Sequence, residues 1–203
     1  MLMKRIIVCL LVGLGWAGFA AAEGDAAAGK GKVALCTACH GPTGVSIAPN
    51  FPHLAGQGER YLTKQITDIK SGARPVPEMI GMTDNLSEQD IEDIAAFYAS
   101  QTAPTGQATE SSIEIGQKLY RGGDIDKGIA ACTACHSPTG KGNDLAKFPM
   151  LAGQSPEYLA KQLRDFREGD RVNDGDSRIM RDTAEKLSNK QIDALASYIS
   201  GLR

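Results

Sequence analysis

Cys36-Thr37-Ala38-Cys39-His40 and Cys132-Thr133-Ala134-Cys135-His136 each set two thiols three positions apart, with an imidazole directly after the second. On a turn of helix, that spacing lets both sulfurs add to the two vinyl groups on one side of a porphyrin. The adjacent His then projects toward the iron. CxxCH is the signature of covalent c-type haem attachment. Competing chemistries fit less well. A thioredoxin-type disulfide needs a strand-helix context and has no use for the His. A zinc site takes about four protein ligands, whereas each motif offers three with no further Cys in reach.

The two motifs belong to a longer repetition. Pro42-Thr43-Gly44 returns as Pro138-Thr139-Gly140, and Leu54-Ala55-Gly56-Gln57 as Leu151-Ala152-Gly153-Gln154. Tyr61-Leu62, Lys64-Gln65 and Asp68 return as Tyr158-Leu159, Lys161-Gln162 and Asp165, and Leu86-Ser87 as Leu187-Ser188. The offset is 96 at the cysteines, 97 through the middle and 101 at the end, so small insertions fall in loops. A longer insertion, rich in Gly and Asp, precedes the second motif at residues 121–129. Two copies are too few for a solenoid and indicate two similar domains in tandem.

The repetition also selects a sixth ligand for each iron, for which a Met thioether, a second His or nothing are the options. Of the three His, two are used in the motifs, and His53 has Met150 as its counterpart, so bis-His ligation at both sites is impossible within the chain. Met79 lies seven residues before Leu86 and Met180 seven before Leu187, whereas Met82 would pair with Thr183. A lone Met is more often core filler. A matched pair, each expected on a loop before the last helix of its half, points to Met79 and Met180 as axial ligands beside His40 and His136. Both ligands would be neutral, and soft sulfur favours ferrous iron and raises its potential. With all positions filled there is no place for a substrate, which suits electron transfer rather than catalysis. His53 and Met150 read as wall residues of packed loops. Tyr61 and Tyr158 could reach a haem propionate or simply pack on a helix face. The carbonyls of Pro52 and Pro149 could orient the two imidazoles.

Helices must position these groups. Ser87 begins one with Asp90 placed for a capping box, followed by an apolar stripe of Ile91, Ile94, Ala95 and Tyr98. Ser188, Gln191, Ile192, Leu195, Ala196 and Ile199 repeat the pattern. One helix should enter each cysteine motif, and another should cover residues 61–70 and 158–167. No alternating strand is evident. The sequence thus predicts an all-α fold of a few helices and long loops per half, which need something central to pack against.

Composition agrees. The chain has 203 residues, 42% hydrophobic and 23% charged, as in soluble globular proteins. Its net charge of -2 gives no footprint for nucleic acid. Aromatics make up only 5%, thin for two hydrophobic cores unless a cofactor fills them. Lys4 and Arg5, the apolar run at residues 6–20, and Ala20-Ala21-Ala22 read as a secretory signal peptide cleaved after Ala22, which removes Cys9 and predicts export to the periplasm. The apolar run is short against the roughly 20 residues of a spanning helix. The Pro, Gly and Thr of residues 101–110 read as a linker between a first domain at 23–100 and a second at 111–203.

The two CxxCH motifs, the NFPHLAGQGERYLTKQ and KFPMLAGQSPEYLAKQ blocks and the two terminal LS helices resemble the dihaem cytochrome c4 family over essentially all of the mature chain. The resemblance implies two tandem class I cytochrome c domains with their haem edges close together. It implies a periplasmic electron carrier, soluble or loosely membrane-associated, between a quinol-oxidising bc complex (quinol-cytochrome c reductase) and a terminal oxidase. By this likeness Cys36, Cys39, His40 and Met79 serve one covalent haem c, and Cys132, Cys135, His136 and Met180 the other. A monomer is expected. Residues 23–100 hold 6 basic and 10 acidic groups, net -4; residues 111–203 hold 14 and 13, net +1. Such a dipolar molecule would favour different partners at its two ends, although surface drift gives the same asymmetry. Two other roles stand beside the carrier. An electron-accepting subunit of a periplasmic dehydrogenase would look much the same. A dihaem peroxidase would need one iron able to shed its distal ligand, against which the matched Met pair argues.

Overall fold

A computed structural model describes residues 24–203; the signal-peptide reading at residues 1–22 lies outside them. The first half contains α1 (Ala26–Lys30), α2 (Thr37–His40), α3 (Glu59–Lys70) and α4 (Glu88–Ala99). The second contains α5 (Glu110–Gly122), α6 (Thr133–His136), α7 (Pro156–Glu168), α8 (Ile179–Ala184) and α9 (Asn189–Ser200). A single turn of 3-10 helix, Pro77–Met79, precedes α4. Among the described residues the only β pairing is two isolated bridges, Asp124 with Ile129 and Asn143 with Phe148, so the fold is all-α. The first bridge closes the insertion that follows α5. No helix of the described residues is long and apolar enough to cross a membrane.

The local chemistry explains the ends of the long helices. Ser87 accepts from the Asp90 amide while the Asp90 carboxylate accepts from the Ser87 amide, a complete capping box. Ser188 and Gln191 do the same for α9. The apolar stripes of both helices are buried, with Ile94 and Ile192 at 1% and 0% exposure. Around them lie two cores. One holds Val33, Leu62, Ile94, Ala95, Phe97 and Tyr98. The other, larger, includes Leu119, Tyr120, Ile129, Leu159, Leu195 and Ile199.

In each half the first helix crosses the last: α1 packs on α4 and α5 on α9, while α3 and α7 pack on the same last helices. The crossings are close because each first helix offers a glycine. A Cβ on Gly29 would stand 1.9 Å from the Asp93 carbonyl oxygen; one on Gly116 would stand 2.5 Å from that of Ala194 and 2.4 Å from the Tyr198 Cβ. The two glycines therefore mark equivalent positions. Residues 101–109 run without helix between the halves, and Glu110 is already the first residue of α5.

Candidate haem sites

Cys36 and Cys132 are the N-caps of the single-turn helices α2 and α6, and these helices end on His40 and His136. The chain leaves each His through a left-handed residue, Gly41 (φ 75°) in one half and Ser137 (φ 67°) in the other. None of the four thiols is tied in a disulfide. Burial pushes the Cys132 thiol up to about 11, so it behaves as a neutral, apolar side chain.

Both imidazoles are 7% exposed. His40 Nδ1 lies 3.0 Å from the Pro52 carbonyl oxygen, and His136 Nδ1 lies 3.0 Å from that of Pro149. Burial lowers both pKa values below the ordinary range, against the opposing pull of the prolyl carbonyl. A neutral ring that donates from Nδ1 keeps its Nε2 lone pair for a metal, and the same bond fixes the ring's orientation. The carbonyls read as candidate orienters in the sequence are thus in place.

One continuous cavity of about 1030 Å³ runs through both halves and is lined by Cys36, Cys39, His40, Met79, Cys135, His136 and Met180. Seven of the eight expected residues are brought to its wall; Cys132 packs against the second core beside it. The methionines differ from the expected loop setting. Met79 ends the 3-10 turn, and Met180 is the second residue of α8. No apolar periodicity marks so short a helix. Among the described residues no cluster of three or more His, Cys, Asp or Glu could hold a bare metal ion.

What the sequence left unseen is a polar seam between the halves, built with two-fold pseudosymmetry. The Gln57 side chain accepts from the Met150 amide and donates to the Met150 carbonyl (2.8 and 2.9 Å), and Gln154 does the same to His53 (both 2.9 Å). The wall residues His53 and Met150 are therefore held by their backbones. Deeper in, Arg74 donates to Gln65, Tyr158 and Gln162, and Arg171 to Gln162, Tyr61, Gln65 and Asn173. Tyr61 and Tyr158 thus lie against a guanidinium from the opposite half. Arg74 and Arg171 keep the 97-residue offset of the surrounding repeat, and that shared offset is the sequence signal that could have found them.

The seam bears on the cofactor. Arg74 and Arg171 are 8% and 7% exposed, line the cavity, and have no carboxylate within ion-pair distance among the described residues. Burial alone would raise the Tyr61 phenol, yet Arg171 and Arg74 hold it below its ordinary value. Buried cations without an anion are costly. A ligand that brings carboxylates to this wall and apolar surface to the rest suits the cavity, and a haem with its two propionates is such a ligand. The residues present therefore fit one haem in each half.

Comparison with known proteins agrees. The family described as Cytochrome c matches residues 26–102 and again 113–203. The chain is 58% identical to a cytochrome c4 of Stutzerimonas stutzeri, over 98% of this chain and all of that one. It superposes on the crystal structure of reduced recombinant cytochrome c4 from Pseudomonas stutzeri with a TM-score of 0.87 at 60% identity, covering 89% of this chain and 100% of that one. It is also 36% identical to a thiosulfate dehydrogenase electron acceptor of Stutzerimonas stutzeri (strain A1501), over 82% of this chain and 78% of that protein.

Proposed function

Because the chain belongs to the cytochrome c family, as a dihaem cytochrome c4 that carries electrons on two covalent haem c groups and is not an enzyme, we propose that it works in the periplasm between a quinol-oxidising bc complex and a terminal oxidase. Cys36 and Cys39 tether the first haem and Cys132 and Cys135 the second, within domains at residues 23–100 and 111–203 joined by the linker at 101–110. His40 and Met79 ligate one iron, His136 and Met180 the other. When bound, haem iron supplies a reversible one-electron couple, and His/Met ligation sets its potential high.

The rest is the work of the chain. The Pro52 and Pro149 carbonyls hold each imidazole in one tautomer and one orientation, so a change of oxidation state needs little rearrangement of the ring. Arg74 and Arg171 place positive charge between the two sites, where it favours an added electron on either side. The observation that carries the assignment is the pair of buried, neutral imidazoles, each tied through Nδ1 at 3.0 Å, on a cavity wall shared with one paired Met per half.

The test is optical. The purified protein should carry two haems per chain and show Met-to-iron charge-transfer absorption. Met79→Ala and Met180→Ala should each remove about half of that band, by loss of one thioether ligand apiece. A variant that leaves the band whole refutes its methionine as ligand.

A second reading has its own support, since a relative in the comparison is an electron acceptor for thiosulfate dehydrogenase. Mixing the oxidised protein with a purified bc complex or a periplasmic dehydrogenase decides between them. Fast reduction by the dehydrogenase alone would replace the respiratory role.

A further inference from the structure

The two methionine segments are built differently. Arg74 and Met79 are five residues apart, whereas Arg171 and Met180 are nine apart, so the second segment is four residues longer. The extra length is used for a lock. Asp174, its side chain 6% exposed, accepts from the amides of Met180 (3.1 Å) and Arg181 (3.0 Å) and from Arg181 Nε (2.6 Å). Arg181 also donates to the Gly175 carbonyl at 2.6 Å. Arg178, just before α8, holds a left-handed backbone (φ 49°), a conformation that persists only where its surroundings over-determine it.

The lock is fastened to the other half. Asn173 donates to Gln65 (3.0 Å) and Asp68 (2.6 Å) on α3, and Lys64 donates to the Asn173 carbonyl (2.9 Å). The first methionine has no equivalent. Val76 and Pro77 stand where Asn173 and Asp174 do by the 97-residue offset. Met79 is held by local backbone bonds, from its amide to the Val76 carbonyl (2.9 Å) and from the Met82 amide to its own carbonyl (3.0 Å). Among the described residues, no side-chain hydrogen bond reaches residues 75–85.

We propose that Asp174 and Asn173 are positioning residues that clamp the Met180 thioether to the second haem, and that the unclamped Met79 makes the first haem the one whose sixth ligand exchanges. This rests on Met79 and Met180 being the axial ligands. An outside ligand binds only the fraction of molecules whose methionine has swung away, so its apparent affinity reports how firmly the segment is held. The clamp also makes ligation in the second half sensitive to α3 of the first.

Imidazole titrated into the oxidised dihaem protein, followed by the Met-to-iron band, tests this. Two steps are expected, each removing half the band. In Met79→His the low-concentration step disappears. Asp174→Ala moves the upper step down about tenfold or more, the scale of one lost hydrogen bond to a charged group. Asn173→Ala moves it in the same direction while leaving Asp174 in place, and so answers the question if Asp174→Ala fails to fold. A single step for both haems, an easy step that survives Met79→His, or an upper step unmoved in both clamp variants overturns the proposal. Failure of the ligand assignment looks different: the band before any imidazole would account for fewer than two haems.

Discussion

The two halves close the same helix crossing by different physics. In the first, Lys32 bridges Asp90 (2.6 Å) and Asp93 (2.5 Å), and Asp93 also accepts from the Asp25 amide (2.9 Å). Aligning the halves on Gly29 and Gly116 puts Leu119 in place of Lys32, and the last helices put Gln191 and Ala194 in place of Asp90 and Asp93. There the crossing is apolar, with Leu119 and Ala194 at 4% and 7% exposure, flanked by a hydroxyl contact between Ser112 and Ser197 (2.8 Å). The charged version goes with a five-residue helix and a smaller core; the apolar version goes with thirteen residues and a larger one. What both copies keep is the glycine, so the closeness of the crossing is the shared requirement and its polarity is free to drift.

Gly116→Ala should give the largest effect, about 3 kcal/mol by overpacking. The long α5 cannot move away from α9 without displacing Leu119 and Tyr120. Gly29→Ala should cost less, because the short α1 can shift as a unit. Denaturant unfolding followed at each haem checks both, and equal costs would mean that helix length does not govern the response. Next in size, Arg171→Gln should cost about 2 kcal/mol by leaving buried acceptors unpaired, and Arg74→Gln somewhat less, since Arg171 also holds Asn173. Because the seam joins the halves, either variant should split unfolding into two transitions. A single sharp transition in both variants would show that the arginines do not couple the domains.

Much of this was legible in the sequence, and the reasons differ by feature. The capping residues Ser87 and Ser188 and the stripes ending at Tyr98 and Ile199 follow local rules, so position along the chain sufficed. The cysteine motifs were legible because their chemistry is tied to spacing. The turn at Met79 and helix α8 at Met180 were not, since three and six residues are too few to show a period. The seam was hidden for another reason. Gln65, Arg74, Gln162 and Arg171 meet across a pseudo-two-fold axis, more than eighty positions apart in places, and no local pattern signals which polar residues a second domain will bury. Their repetition at a fixed offset was the available clue, and it reads as surface unless the halves are imagined face to face.

Acid should separate the halves. The Lys32 ammonium is the main cause holding Asp93 down, from its ordinary 3.8 to about 2, and it holds Asp90 well below the carboxylate range. A carboxylate depressed in the folded state stabilises fully above 3.8 and loses that contribution as pH falls through its folded value. The first half should therefore loosen between pH 3.8 and 2, and Lys32→Met should weaken that pH dependence, leaving the part due to the Ser87 and Asp25 amides and the Gln89 side chain. Acid titration read at each haem checks the order; prior loss of the second half would contradict it.

The smallest contrast concerns one hydroxyl in each half. The last helices carry Tyr98 in the first half and Ile199 in the second, while Val33, three residues past the end of α1, and Tyr120 on α5 stand at matching places. The first core thus takes its tyrosine, Tyr98, from its last helix, whereas the second has Tyr120 from its first helix beside Tyr198 from its last. Tyr120 donates to the Ser137 carbonyl at 2.7 Å, next to the haem-bearing turn. The Tyr98 hydroxyl is buried without a hydrogen-bond partner, and burial raises its pKa. Removing a satisfied hydroxyl costs about 1 kcal/mol, whereas removing an unsatisfied one relieves its desolvation. Tyr120→Phe should therefore destabilise the second half, and Tyr98→Phe should leave the first unchanged or up to about 1 kcal/mol more stable. If both variants lose stability equally, the Tyr98 hydroxyl has a partner in the haem-bearing protein, and the neighbouring Cys36 sulfur, a thioether once the haem is attached, is where to look for it.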